Sequence, residues 1–222
     1  MSFDRAIFFS CIRSSLFAGS LSQSQVDGIV CILDAFERYL PAGDIRFLAY
    51  DLATAYHETD RTMQPIEEIG KGRGHAYGVP TGPWHHVYDG RGFDQLTWEQ
   101  NYIHATKRLR ACGVIGNDVD LDRSPELAMR PDIAAAVLIL GNAEGWFTGH
   151  GLNDYFNDKI DDPVGARRVV NGQDRAGMIA SYYRAFCQAL LTARGAAPKP
   201  LPNVVQGPVK KPGFWAWLFS CL

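Results

Sequence analysis

The hexapeptide AYHETD, residues 55 to 60, closes a predicted helix and places a histidine and a glutamate in its last turn. The apolar residues before and within it recur at helical spacing: Ile45, Leu48, Leu52, Ala55 and Tyr56. Asp44 is a suitable N-cap, and Glu58 flanks the apolar face. A carboxylate at a helix C-terminus faces the negative end of the helix dipole, which disfavours its charged form. The position therefore suits a proton donor better than an idle surface charge.

Length and composition indicate a soluble globular protein. The 222 residues suit one large domain, or a domain with a small lobe, and 46% hydrophobic with 21% charged residues is ordinary. The net charge of −2 gives no basic field for binding nucleic acid. Five widely spaced cysteines without a CxxC motif favour reduced thiols over a disulfide framework or a zinc site. The 12% aromatic residues fit either a dense core or a site that stacks sugar rings.

The N-terminus, MSFDRAIFFSCIRSSLF, does not resemble a signal peptide, because Asp4, Arg5 and Arg13 interrupt its apolar residues. No stretch of the sequence is long enough to span a membrane. We therefore expect the protein to be made in the cytoplasm without a recognisable signal peptide.

Helical patterns recur along the chain. Ser22 and Gln25 form a potential capping box for a helix that Pro41 and Gly43 end. Further helices are predicted from about Trp98 to Arg110, over the apolar run 133–140, which reads as the central buried helix, and over about 174–193. Residues 59–92 are rich in glycine and proline, as in a long functional loop. Strand signals are weak, so the domain is predicted to be mainly α.

Composition changes after Arg194. We predict one domain over residues 1–194, with 1–43 as its N-terminal helical part, then a Pro/Gly/Lys linker over 195–213 and an aromatic apolar tail over 214–222. The tail, FWAWLFSCL, is too short to span a bilayer. Its tryptophans, with Lys210 and Lys211 before them, could lie at a membrane surface, or the tail could dock on the enzyme itself.

Three kinds of chemistry are open to Glu58. A metal site of the HExxH type fails because Arg61 stands where its second histidine would be, and no GxSxG or activated cysteine indicates a nucleophile. Paired carboxyl groups remain, as used in glycoside hydrolysis. Glu67 and Glu68 follow nine and ten residues after Glu58, in a loop that can fold back toward the helix end. Two glutamates in a loop are otherwise typical of a solvated surface.

The segment YDGRGFDQLTWEQNY, residues 88–102, strengthens the carbohydrate interpretation. Gln95, Thr97 and Asn101 supply amide and hydroxyl groups, and they alternate with Phe93, Trp98 and Tyr102. Polar groups beside aromatic faces are what a sugar site uses for hydroxyls and ring faces. The same pattern also fits a helix N-terminus with Thr97 as its cap.

AYHET followed by GRG-x-x-QLTW-x-x-NY resembles glycoside hydrolase family 19, the chitinases and related endolysins of the lysozyme-like superfamily. The resemblance runs from about Phe47 to Phe186 and includes PELAMRPDIAA, GWFTG and VVNGQDRA. The N-terminal part is most similar to the compact phage and prophage endolysins. The resemblance implies a lysozyme-like α-helical domain with a long active-site loop region and little or no sheet.

The resemblance also implies roles for individual residues. Glu58 matches the general acid, Glu68 the general base with Glu67 as the alternative, and Thr97 the residue that helps to hold the attacking water. The residues expected to bind substrate are Gln95, Asn101, Asn171, Arg91, Trp98, Tyr88 and His57. The family has an arginine on its last helix where this chain has Met178 and Ile179, and Arg175 or Arg91 could take its place.

These expectations describe a monomeric, inverting hydrolase of β-1,4 bonds between N-acetylated amino sugars, with no cofactor and no metal. Peptidoglycan is preferred to chitin, and muramidase to glucosaminidase cleavage, because of the endolysin-like architecture and because no Cys-rich chitin-binding module is visible. The enzyme would act in the periplasm or cell wall after release or delivery, with a holin or a cognate inhibitor as a further partner. The alternatives are a chitinase, an antibacterial toxin effector of the same chemistry, and a degenerate glycan-binding module.

Overall fold

A computed structural model describes residues 2–195 of the chain and bears out a mainly α architecture. The α-helices of this range are α1 (Arg5–Ser15), α2 (Gln23–Tyr39), α3 (Ile45–Glu58), α4 (Glu99–Ala111), α5 (Pro131–Glu144) and α6 (Ala176–Ala193). Short 3-10 helices cover Ala76–Gly78, Pro125–Met129, Leu152–Asp154 and Gly165–Val169. Two strands of two residues each, β1 (Ile66–Glu67) and β2 (Arg91–Gly92), are the whole sheet content of the described part.

The starts of α1, α2 and α3 follow local capping chemistry. The capping box of α2 is confirmed, because Ser22 Oγ accepts from the Gln25 backbone N–H and Gln25 Oε1 accepts from the Ser22 N–H. Asp44 caps α3 by accepting from the Arg46 N–H. The interpretation of Thr97 as the cap of α4 is wrong: the N-cap is Trp98, which has φ +74° and makes no side-chain capping bond.

Helix α5 is the centre of the molecule, as the apolar run predicted. All residues from Ile133 to Asn142 are buried. One side of α5, including Leu138 and Ile139, joins a core with α1, α2, α3 and α6, whereas the other side, including Ile133 and Val137, joins a second core with α4. Each large apolar side chain buried in this way contributes roughly 1.5–3 kcal/mol. The two cores thus share one helix, and α3 is held against α6 in the first of them.

The long loop between α3 and α4 is organised by the small sheet. Strands β1 and β2 are antiparallel, with Ile66 opposite Gly92 and Glu67 opposite Arg91. Gly92 has φ +94°, a conformation that favours glycine. A Cβ added to Gly92 would contact the Ala128 carbonyl oxygen. The sheet therefore fixes the residues just after β1 next to the glycine-rich turn before β2.

No helix within residues 2–195 is long and apolar enough to cross a membrane. The predicted linker, from residue 196 onward, and the aromatic tail over 214–222 lie outside the described residues. Membrane contact through the tail therefore stays a prediction.

Candidate active site

Glu58 is the last residue of α3 and pairs with a buried arginine. Arg167, in the 3-10 helix Gly165–Val169, donates from Nη1 to Glu58 Oε1 at 2.7 Å. The exposed fractions are 5% for Glu58 and 1% for Arg167, so the pair is almost removed from water. The pair spans 109 residues of sequence and ties the end of α3 to the segment before α6.

Arg167 was not found by sequence reasoning, which pointed to Arg175 or Arg91 for a site arginine. Arg175 is instead the N-cap of α6, with φ +58°, and its Nε lies 3.8 Å from a carboxyl oxygen of the neighbouring Asp174. The signal that could have found Arg167 is its setting in the largely apolar run VGARRVV. Its neighbour Arg168 is exposed, so only one of the two arginines turns inward.

Glu68 directly follows β1 and is 3% exposed. Its backbone N–H donates to the Gly90 carbonyl at 2.7 Å, and the Gly90 N–H donates to Glu68 Oε2 at 3.2 Å. The Tyr77 hydroxyl donates to Glu68 Oε1 at 3.3 Å. Two neutral donors thus hold the Glu68 carboxylate in one orientation, as a residue that must direct a water requires.

Glu67 has a different environment from its neighbour. Its carboxylate pairs with Arg91 at 3.0 Å and with Lys71 at 2.9 Å, and it is half-exposed. Burial raises the pKa of Glu67, but the hydrogen bonds from Lys71 and Arg91 outweigh this and hold it below its ordinary value. A carboxylate neutralised by two cations is a weaker base, so the geometry favours Glu68 over Glu67 for that role.

Arg91 and Tyr88 lie inside the molecule. Arg91 pairs with Glu67 and with Asp89, the latter at 2.5 Å, and donates to the Tyr102 hydroxyl at 3.1 Å. Tyr88 is fully buried and donates its hydroxyl to the Asp122 carboxylate at 2.8 Å. These contacts make Arg91 and Tyr88 supports of the loop, and their role in binding substrate stays a prediction.

The QLTW segment forms a compact turn between β2 and α4. Gln95 has φ +60° and donates from Nε2 to the Ile66 carbonyl at 3.1 Å, which ties the turn to β1. Thr97 donates its hydroxyl to the Gln95 carbonyl at 2.7 Å, and Asn101 Nδ2 donates to the Thr97 carbonyl at 2.9 Å. All three side chains are half-buried, so they remain candidates for contact with a ligand.

Trp98 presents the exposed aromatic surface next to this turn. It is 41% exposed, and its ring meets that of Tyr77 edge to face at a centroid distance of 5.3 Å. Tyr77 is the residue whose hydroxyl donates to Glu68. The exposed Trp98 indole contacts Tyr77, which in turn binds the candidate base Glu68. It is therefore suited to stack on the face of a sugar ring.

His57 and Asn171 lie on the Glu58 side. His57 is buried, and its ring centroid is 6.4 Å from that of Tyr182. Burial lowers the pKa of His57, so its imidazole is neutral at pH 7. Asn171 is half-buried, and its backbone N–H donates to the Arg167 carbonyl at 3.0 Å. Asn171 therefore sits on the same segment that supplies the partner of Glu58.

Asp94, in the turn after β2, is a second residue that sequence reasoning missed. It is 3% exposed, and burial raises its pKa to about 8, with a further increase from the negative charge of Glu58. The charge of Glu58 therefore acts on Asp94. Glu68 lies at the opposite end of the two-stranded sheet, directly after β1.

Within residues 2–195, no group of three or more His, Cys, Asp and Glu side chains is placed to hold a metal ion. The cysteines of this range are free thiols: Cys11, Cys31, Cys112 and Cys187.

Solved structures share this architecture. Chitinase C from Streptomyces griseus matches with a TM-score of 0.54 and 20% identity, over 90% of this chain and 79% of that one. A bacterial family 19 chitinase matches with a TM-score of 0.52 and 21% identity, over 90% and 98% of the two chains. A family 19, class IV chitinase from Zea mays matches with a TM-score of 0.51 and 18% identity, over 88% of this chain and 96% of that one. The fold is that of the family 19 chitinases.

At the level of sequence, no protein-family model and no curated protein matches the chain. The family 19 chitinase fold is therefore carried by a sequence that keeps only about a fifth of its residues in common with these neighbours. The neighbours are chitinases, and the resemblance to endolysins rests on the N-terminal sequence alone.

Proposed function

We propose that this protein is an inverting glycoside hydrolase in which Glu58 is the general acid and Glu68 the general base. The observation that supports it most is the pair of buried carboxyl groups on a family 19 chitinase fold, each in a different setting. Arg167 holds Glu58, whereas Tyr77 and the Gly90 N–H hold Glu68. Two carboxyl groups with distinct environments are what separate acid and base roles require.

In this mechanism Arg167 fixes one oxygen of Glu58, and the other gives its proton to the glycosidic oxygen. Glu68 removes a proton from a water molecule on the opposite face of the sugar, and the water oxygen bonds to the anomeric carbon. Thr97 donates its hydroxyl hydrogen to Gln95, so its oxygen lone pairs remain for that water. Room for the water requires a carboxyl separation of roughly 6.5–9.5 Å in inverting enzymes.

The substrate class we propose is a β-1,4-linked polymer of N-acetylated amino sugars. Half-buried Gln95, Asn101 and Asn171 supply amides for the acetamido and hydroxyl groups, and Trp98 supplies an exposed ring face. We prefer peptidoglycan, cleaved as by a muramidase, because the N-terminal sequence resembles that of endolysins. The enzyme would reach the wall after release or delivery, as an endolysin or as a toxin effector.

Chitin is the second candidate substrate, because the structural neighbours are named as chitinases. The two substrates differ in the lactyl group and peptide that peptidoglycan carries on alternate sugars. An assay on both polymers therefore decides between them.

The test compares the wild-type protein with Glu58→Gln on bacterial sacculi and on colloidal chitin. New reducing ends are measured, and the soluble fragments are identified by mass spectrometry. We expect wild type to release muropeptides from sacculi and Glu58→Gln to lose at least about a hundredfold in rate, since general acid catalysis contributes 10²–10⁴-fold. Glu126→Gln, at an exposed glutamate, is the matched control and should keep wild-type activity.

If fragments were released from chitin alone, the proposed hydrolase activity would stand and chitin would replace peptidoglycan as the substrate. Glu58→Gln with wild-type turnover would refute the acid assignment. Binding to sacculi by co-sedimentation without release of fragments would leave the degenerate glycan-binding module as the function.

A further inference from the structure

Trp84, in the loop before β2, carries an exposed indole that has no part in the proposed mechanism. It is 45% exposed, yet its Nε1–H donates to Asp122 Oδ2 at 3.2 Å. The guanidinium carbon of Arg123 lies over the indole, 5.1 Å from the ring centroid. The ring is therefore held at its edge and over one face, while much of its surface is open to a ligand.

Asp122 holds this arrangement together. Its Oδ2 accepts from Trp84, and its Oδ1 accepts from the hydroxyl of the buried Tyr88 at 2.8 Å. The ring nitrogen Nε2 of His86 lies 3.0 Å from the Arg123 carbonyl oxygen. These contacts join the loop before β2 to the loop that follows α4, and they fix the place at which Arg123 stands.

The charge of Arg123 is open to a ligand. Arg123 is exposed, and within residues 2–195 no carboxylate pairs with its guanidinium. Of the neighbouring carboxylates, Asp122 accepts from two neutral side chains, and Asp120 pairs with Arg110 at 3.3 Å. A guanidinium stacked on an aromatic ring keeps its fork of N–H donors, which matches the two oxygens of a carboxylate.

The loop that carries Trp84 is attached to the start of α4, beside Trp98. The Thr81 hydroxyl donates to Glu99 Oε2 at 3.2 Å, and the Trp98 backbone N–H donates to the Tyr88 carbonyl at 2.9 Å. Trp84 precedes Tyr88 by four residues, so its backbone lies within roughly 14 Å of that second contact. A glycan chain bound at Trp98 can therefore place a neighbouring unit at Trp84 and its stacked arginine.

We propose that Arg123, held over Trp84, binds a carboxylate that peptidoglycan carries on its muramic acid units, and that this contact makes the site prefer peptidoglycan to chitin. This inference rests on the proposed function and names a residue that sets its specificity. Chitin is uncharged, whereas each muramic acid unit brings a carboxylate, either on its lactyl group or on the peptide joined to that group. A cation with donors to spare distinguishes the two polymers by that charge.

The test compares wild type with Arg123→Gln on three soluble substrates of equal length. These are chitin oligosaccharides, peptidoglycan oligosaccharides with their peptides, and the same oligosaccharides after an amidase has removed the peptides and left the lactyl carboxylates. We expect Arg123→Gln to raise KM about tenfold on a carboxylate-bearing substrate and to leave kcat within about twofold, because the lost contact is made equally in the ground state and the transition state. KM for chitin oligosaccharides should stay within about twofold of wild type.

The two peptidoglycan substrates identify the carboxylate. A higher KM on the peptide-bearing fragments alone assigns the site to the peptide, and a higher KM on the peptide-free fragments assigns it to the lactyl group. Salt should raise the wild-type KM on the same substrate and have little effect on that of Arg123→Gln, since ions screen an exposed charge pair. Arg13→Gln, which removes an exposed arginine from the last turn of α1, is the matched control and should follow wild type on all three substrates.

A second readout needs no hydrolysis. The indole N–H of Trp84 gives an NMR signal of its own, which is identified by its absence in Trp84→Phe. We expect this signal to shift during titration with the disaccharide-peptide, or with its amidase product, at an about tenfold lower concentration in wild type than in Arg123→Gln. N,N′-diacetylchitobiose, which has no carboxylate, should bind the two proteins equally.

Equal changes of KM on all three substrates, or on none, would overturn the proposal, as would NMR titrations that coincide in wild type and Arg123→Gln. If wild type cleaves none of the substrates while the titration depends on Arg123, the proposed hydrolase fails and the carboxylate site stands. If wild type cleaves chitin and the titration does not depend on Arg123, the hydrolase stands and this site fails.

Discussion

Glu58 and Arg167 are joined by a hydrogen bond of 2.7 Å between side chains that are almost fully buried. Taking two charges out of water costs several kcal/mol per ion, and their attraction offsets this only in good geometry. The intact pair therefore adds little net stability. Its value lies in the fixed orientation of the Glu58 carboxyl group, and its loss would leave a buried charge without a counter-ion.

Replacing Arg167 with alanine should lower the free energy of unfolding by about 3–5 kcal/mol, because the buried Glu58 carboxylate would lose its cation. Chemical denaturation at pH 7 measures this. Arg168→Ala is the matched control, since the adjacent side chain is exposed and its loss should change stability by less than about 0.5 kcal/mol. Similar values for the two variants would mean that the ion pair does not form in solution.

Among the elements, the loop after α3 packs closely against α2. Gly28, inside α2, is buried, and a Cβ added there would lie 1.6 Å from the Met63 carbonyl oxygen. Because that atom belongs to the backbone, it cannot move aside as a flexible side chain would. The contact holds Met63, in the loop that leads from Glu58 to Glu68, against α2.

Gly28→Ala should destabilise the protein by at least about 1–3 kcal/mol, the usual cost of overpacking. Helix propensity alone predicts the opposite sign, since alanine is favoured over glycine by about 1 kcal/mol in a helix interior. Gly177→Ala in the first turn of α6 is the control, because nothing lies within 4 Å of its added Cβ. Thermal unfolding of both variants decides. A gain in stability at Gly28 would show that the loop does not pack there.

Across the whole molecule, the helices can be predicted where their sequence signal is local. Residues close together in sequence specify three features: the capping box of α2, the Asp44 cap of α3 and the apolar run of α5. Together these features predict a mainly α fold. The position of Glu58 at the very end of α3 was also predicted.

The interior of the site could not be predicted in the same way. Arg167 meets Glu58 across 109 residues. Its apolar setting marks it as a candidate for burial, but no local pattern shows which carboxyl group it meets. Asp94 lies within the segment YDGRGFDQLTWEQNY, but its burial depends on how the chain at β2 packs onto α5. Tyr88 and Arg91 belong to the same segment, and their burial likewise depends on how the loop packs, which its residue pattern does not show.

The stereochemistry of the first product is the most direct test of the proposed inverting hydrolysis by Glu58 and Glu68. Proton NMR would follow the anomeric signals while wild type cleaves soluble β-1,4-linked fragments of peptidoglycan and of chitin, with Glu58→Gln and Glu68→Gln beside it. We expect the α-anomer to appear first and both variants to be strongly impaired. A β-anomer as the first product, or cleavage by either variant at the wild-type rate, would contradict it.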